Sequence, residues 1–270
     1  MNKYLAFALI LCCACQPVKE ESTTLNNIPS NTAFTLPFTW ELDQASLKGD
    51  TLITIESEFL FKKDKTYQAF PFQENLATVL PADLDREGLE IVFRCVDGYG
   101  PSIPLTYLDS SAAYLAYRDP ELATANTSWG DSLQQKFAPF YIVWEKNPVA
   151  GKNLPWAYGL YQIEINSFAA EYQYSIPTDA QFAAGFELFQ EKCMKCHAIN
   201  QEGGRMAPEF NYPKNITEYW DKEDIWAFAK APQSYRATSL MPAVTDLERE
   251  EFEQIYAYLE HIKSVKPALD

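Results

Sequence analysis

The 270 residues carry 37 acidic and 22 basic side chains, and a net charge of −15 excludes nucleic acid as a partner, because phosphate binding needs clustered Lys and Arg. A hydrophobic content of 47% with 14% aromatic residues excludes a disordered chain and allows two modest domains, each with its own core. The acidity serves solubility first, and would steer a basic protein partner second.

The chain opens with "MNKYLAFALILCCAC", in which Lys3 precedes an apolar run from Leu5 to Leu11 and then small residues. Such a run is too short to span a bilayer and predicts an export signal over residues 1–15. It resembles a bacterial lipoprotein signal. That resemblance implies lipidation of Cys15 after Ala14, with Cys13 and Cys12 as alternative acceptors. The usual pattern has Leu three residues before the cysteine, whereas Leu11 lies four before Cys15. An ordinary cleaved signal is the competing reading. Either predicts placement on the periplasmic or cell-surface side of a bacterial membrane, and acylation would hold the protein there without a spanning helix. Residues 16–32 are polar and lack aromatics, which predicts a flexible tether whose ends lie roughly 20–25 Å apart.

Residues 33–176 read as β-rich. In "TLITIESEFLF" the apolar Ile53, Ile55, Phe59 and Phe61 alternate with Thr54, Glu56 and Glu58, predicting one half-buried strand. "LEIVFRC" places Leu89, Ile91, Phe93 and Cys95 on one face, and "FYIVWE" and "LYQIEI" predict further strands. Short helical pieces are expected in "FQENLATVL" and "IPLTYLDSSAAYLAY". The order "KTYQAFPFQENLATVL…EIVFRCVDGYGPSIPLTYL" resembles the core of sulfite-oxidase-type molybdopterin proteins, which implies Cys95 as a molybdenum ligand in a degenerate site. Against a working centre, no histidine precedes His197, and Arg94 and Arg118 are the nearest candidates for a pterin phosphate site. The competing reading makes Cys95 a buried small hydrophobe.

Helical patterning begins near Thr178. Thr178 or Asp179 is a candidate N-cap, and Phe182, Phe186 and Phe189 recur at helical spacing around Gly185. Glycine there costs about 1 kcal/mol of helix stability against alanine, so it predicts the close approach of another helix. "CMKCH" follows at Cys193–His197, the attachment signature of c-type haem. Two thiols one turn apart reach both vinyl groups of one porphyrin, and the next residue, His197, presents its imidazole to the iron. A redox C-x-x-C would favour a βαβ setting that is missing here, and a zinc site would need a second ligand pair. Met241 in "SLMPAVT" is the favoured sixth ligand, with Met206 and His261 as alternatives. "DKEDIWAFAKAP" predicts a middle helix stopped by Pro232. Thr245 with Glu248 predicts a capping box for a last helix that buries Phe252, Ile255, Leu259 and Ile262.

Residues 178–264 resemble a class I cytochrome c domain through the Gly185/Phe189 helix, CMKCH, the "GGRMAPEF" loop, the middle helix, "LMP" and the last helix. The resemblance implies that the carbonyl of Pro208 accepts a hydrogen bond from the proximal histidine, although Ala207 stands where the family often has glycine. The expected architecture is multidomain: a β-rich α+β domain with a sulfite-oxidase-like core at 33–176, then an all-α class I cytochrome c domain at 178–264. The implied role is one-electron transfer through a single covalent haem c, as carrier or subunit of a redox chain with donor and acceptor proteins. The alternative is a molybdopterin-dependent oxidoreductase of sulfite-oxidase type fused to its cytochrome acceptor, although molybdopterin is not the expected cofactor.

Overall fold

In the computed structural model, residues 34–130, 135–146 and 154–267 are described. The signal, the tether and Cys15 lie outside them. Among the described residues no helix is long and apolar enough to cross a membrane.

The β-rich part is one eight-stranded sheet: β1 (Phe38–Glu41), β2 (Thr51–Ile55), β3 (Lys65–Pro71), β4 (Leu89–Cys95), β5 (Ser102–Pro104), β6 (Ala112–Arg118), β7 (Phe140–Lys146) and β8 (Tyr158–Ser167). The order is β2-β3-β6-β7-β8-β4-β5, with β1 also on β8, and every pairing is antiparallel. Both sheet faces are covered. One core gathers Ile91, Phe93, Cys95, Leu115, Phe140 and Ile163, and a second gathers Tyr67, Trp129, Phe137, Tyr141 and Val143. β4 and β7 each carry five apolar residues in seven without clean alternation, since a strand buried on both sides has no solvent face to alternate.

Three sequence expectations are corrected here. The strand expected to run to Phe61 ends at Ile55, because Ser57 and Lys62 take left-handed backbone and the chain turns. Glu58, expected on the outer face, is wholly buried. It accepts from the amides of Leu60 and Phe61 and from the Tyr141 hydroxyl, bonds that offset the cost of taking a carboxylate out of water. "AAYLAY" is strand β6 and not helix, because β3 and β7 hydrogen-bond to both of its edges and override the helix preference of alanine. Within the two stretches expected to be helical, helix is confined to α1 (Phe72–Leu76) and a 3₁₀ turn at Leu105–Asp109.

After a turn of helix, α2 (Phe168–Glu171), the chain enters a third core with α3 (Ala183–Lys192), α4 (Lys222–Lys230), α5 (Pro232–Tyr235) and α6 (Arg249–Ile262). Asp179 caps a 3₁₀ turn that leads into α3. α3 crosses α6 at Gly185, where a Cβ would lie inside van der Waals contact of the Gln254 carbonyl and 2.9 Å from Tyr258 Cβ. The expected apolar stripe of α6 is buried, joined by Tyr258. The capping box falls three residues later than expected, at Glu248 with Glu251. Val244 N–H is held by the Ala229 carbonyl, and Lys230 Nζ bonds the carbonyls of Thr245 and Leu247, so that stretch is a turn. Pro232 ends α4 and also begins α5 as its first residue, where its missing N–H costs nothing.

The all-α expectation is corrected as well. Two short strands, β9 (Ala198–Ile199) and β10 (Glu202–Gly203), form a hairpin in this part of the chain, with Asn200 and Gln201 in left-handed backbone at its turn.

Candidate haem-attachment site

α3 ends as the C-x-x-C-H motif begins. Cys193 is its C-cap, and the amides of Cys193 and Met194 both bond the Phe189 carbonyl, while those of Cys196 and His197 return to the Cys193 carbonyl. The motif is thereby wound into one tight loop with both thiols half-buried and free. Burial pushes the Cys193 thiol up to about 12 and raises that of Cys196, so neither is an activated nucleophile of the redox C-x-x-C kind.

His197 is 8% exposed, and its Nδ1 lies 2.7 Å from the Pro208 carbonyl. A carbonyl only accepts, so Nδ1 carries the proton and Nε2 keeps its lone pair. Burial lowers the imidazole pKa, with the Pro208 carbonyl opposing, which favours the neutral ring that ligates metals. No hydrogen bond to Nε2 is present among the described residues, and Phe210 packs on the ring at 4.3 Å. Two free thiols on one loop, beside an imidazole fixed at Nδ1 and open at Nε2, form a donor set that fits a covalently attached haem.

The loop after the motif needs its glycines. A Cβ on Gly203, at φ +109, would meet His197 O and Met194 Cγ at 2.7 Å, and one on Gly204 would lie 2.8 Å from Cys196 Cα. Gly204 N–H bonds Met194 O at 2.7 Å, and Ala207 N–H bonds Cys196 O at 3.0 Å.

A buried asparagine ladder, absent from the sequence expectations, locks this loop to α6. Asn200 bonds the carbonyls of Tyr174 and Val265; Asn211 bonds Asn200 and the Ile262 carbonyl; Asn215 bonds Asn211 and the Leu259 carbonyl. Polar residues in a loop give no burial signal, so a single sequence offers nothing to find it by.

Met241 sits between α5 and α6, half-buried, with its carbonyl held by Gln233 Nε2 at 2.8 Å and its N–H by Ser239 Oγ at 3.3 Å. Leu240 beside it is 97% exposed, and Met206 is 43% exposed. His261, half-buried, stacks on Phe182 at 4.3 Å, a packing role.

Cys95 lies apart from this donor set in the sheet, 4% exposed among Ile91, Phe93 and Leu105. Burial, with Asp97 adding, holds its thiol far above the ordinary range. Arg94 Nε and Nη2 are committed to Glu164 at 2.9 and 2.6 Å, and Nη2 also to Glu171 at 3.3 Å, so its charge is already paired with two carboxylates. A protonated core thiol beside a committed arginine does not fit a molybdopterin centre.

The cytochrome c family model matches residues 182–263. Cytochrome c oxidase subunit 2 of Alkalihalophilus pseudofirmus is 32% identical over 93 residues, covering 32% of this chain and 27% of that protein. The chain thus spans about a quarter of the length of that relative. No solved structure matches. Nothing in these comparisons supports the sulfite-oxidase resemblance of the middle region. Residues 182–263, with their free thiol pair and committed histidine, form a domain similar to cytochrome c.

Proposed function

We propose that the protein transfers single electrons through one haem c held covalently by Cys193 and Cys196. The observation that carries the reading is the His197–Pro208 contact, which fixes the tautomer that leaves Nε2 free for iron. A haem bound there supplies a one-electron couple, ferric to ferrous. The Pro208 carbonyl orients the imidazole and increases its basicity, as outer partners of ligating histidines do. Met241 is proposed as the sixth ligand, its loop anchored through Gln233 and Ser239. A thioether there favours the ferrous state and raises the potential.

Export, lipidation at Cys15 and placement at the outer side of a membrane belong to the same proposal. Similarity to part of a cytochrome c oxidase subunit supports a place in a redox chain with protein donors and acceptors. In an anaerobic reductive titration, the loaded protein is expected to follow a single one-electron Nernst curve. Met241→Ala should lower its midpoint and abolish the sulfur-to-iron charge-transfer band, while Met206→Ala leaves both unchanged. The reverse pattern overturns the assignment of Met241.

A further inference from the structure

The tip of the β4–β5 hairpin sits on the attachment loop. Gly100 N–H donates to the carbonyl of Lys195, inside the C-x-x-C-H motif, at 2.9 Å, and the Gly98 carbonyl accepts from Arg205 N–H at 2.7 Å. At Gly98 the approach leaves no room for a side chain: a Cβ there, at φ +88, would lie 2.7 Å from Arg205 C and 2.8 Å from Met206 N. A Cβ on Gly100 would lie in ordinary contact, 3.5 Å from Gly204 Cα. Tyr99 lies between these two glycines, partly buried, so the backbone bonds on either side of it hold it against the attachment loop. Asp97 Oδ1 closes the turn by accepting from Tyr99 N–H at 2.9 Å.

A seam that only joins two domains does not need backbone bonds onto the motif itself. We propose that this hairpin is a working part of the haem site: Tyr99 covers the haem edge at Cys196, and the Asp97 charge beside it sets the reduction potential. The β-rich domain thereby tunes the redox centre of the domain that follows it. The inference rests on the haem reading above. A carboxylate near the iron favours the ferric form, which carries one more positive charge, so its removal raises the midpoint. Asp97 is exposed, so the effect weakens with salt.

The test is Asp97→Asn in the full-length haem-loaded protein. Asparagine keeps an Oδ1 to accept from Tyr99 N–H, so the turn survives while the charge is lost. The ferric/ferrous equilibrium should move about threefold, a rise of ~30 mV at 59 mV per tenfold for one electron, and less in high salt. Asp97→Glu should keep the native midpoint, as should Asp43→Asn in the turn after β1. No shift for Asp97→Asn, or an equal shift for Asp43→Asn, overturns the proposal. Amide exchange of the unaltered loaded protein tests the seating without any variant. Gly100 and Arg205 should exchange as slowly as β4, and exchange at open-loop rates overturns it. A protein without bound haem would sink the haem reading itself and this proposal with it, whereas normal haem content with an unmoved midpoint sinks only this one.

Discussion

Replacing Gly185 by alanine probes the α3–α6 crossing on which the attachment loop is mounted. The new methyl would fall inside contact of the Gln254 carbonyl, 2.8 Å from Gln254 C and 2.9 Å from Tyr258 Cβ. None of these atoms is the far end of a flexible side chain, so α6 itself must shift. Overpacking of this kind costs typically ~1–3 kcal/mol. Alanine returns about 1 kcal/mol of helix propensity over glycine. Because the clash is with backbone atoms, the upper part of that range, about 2–3 kcal/mol, applies, and the net is a loss of about 1–2 kcal/mol, which for a chain of this size lowers the melting temperature by roughly 2–8 °C. Thermal unfolding followed by far-ultraviolet circular dichroism reads this directly. Ala184→Gly, exposed on the same helix, should cost about 1 kcal/mol through propensity alone and calibrates that term. A Gly185→Ala protein as stable as the parent, or more so, would refute the close-approach argument.

Lys65 is buried against Asp119 at 2.6 Å, so Lys65→Met should cost about 3–5 kcal/mol in denaturant titrations by stranding the carboxylate. Burial works against the Lys65 charge, but Asp119 and Glu121 more than offset it and raise its pKa above 10.5. Its stabilisation is thus fully present below pH 10.5 and should fade as pH climbs through the raised value. Glu90 behaves oppositely to a paired carboxylate: burial, opposed by Ser102 and helped by Glu171, lifts it from 4.5 to about 7. The folded state then holds a proton that the unfolded chain has released, so stability should fall between pH 4.5 and about 7, by up to about 3 kcal/mol. Glu90→Gln should flatten that slope, and an unchanged slope would contradict the assignment. Asn211→Ala strands buried partners on Asn200 and Asn215 and should cost at least ~2 kcal/mol, measured by the same titrations.

What could be read from the sequence was local. The C-x-x-C-H spacing, the glycine between phenylalanines and the stripe on α6 each state their chemistry within a few turns of chain, and the structure places them in one helical core. The Pro208 carbonyl came from the family pattern and not from any property of proline, and it lies 2.7 Å from His197 Nδ1. Features decided by distant partners were not legible. Glu58 looked like an outward residue because its hydroxyl partner, Tyr141, comes from another strand. "AAYLAY" read as helix because alanine carries helix preference, and only pairing with β3 and β7 makes it a strand. The capping box moved because Lys230 and Ala229, on another helix, hold the preceding turn. Likewise, nothing in "CVDGYGP" announces that its glycines meet the loop after Cys196.

The account stands on a porphyrin joined to Cys193 and Cys196. The direct measurement is intact mass together with a pyridine haemochrome spectrum, on protein produced beside a cytochrome c maturation system. It should show one haem added per chain with both vinyl groups saturated, and Cys193→Ala/Cys196→Ala should show none. A parent chain of unmodified mass and no haemochrome band, made under those conditions, would contradict it.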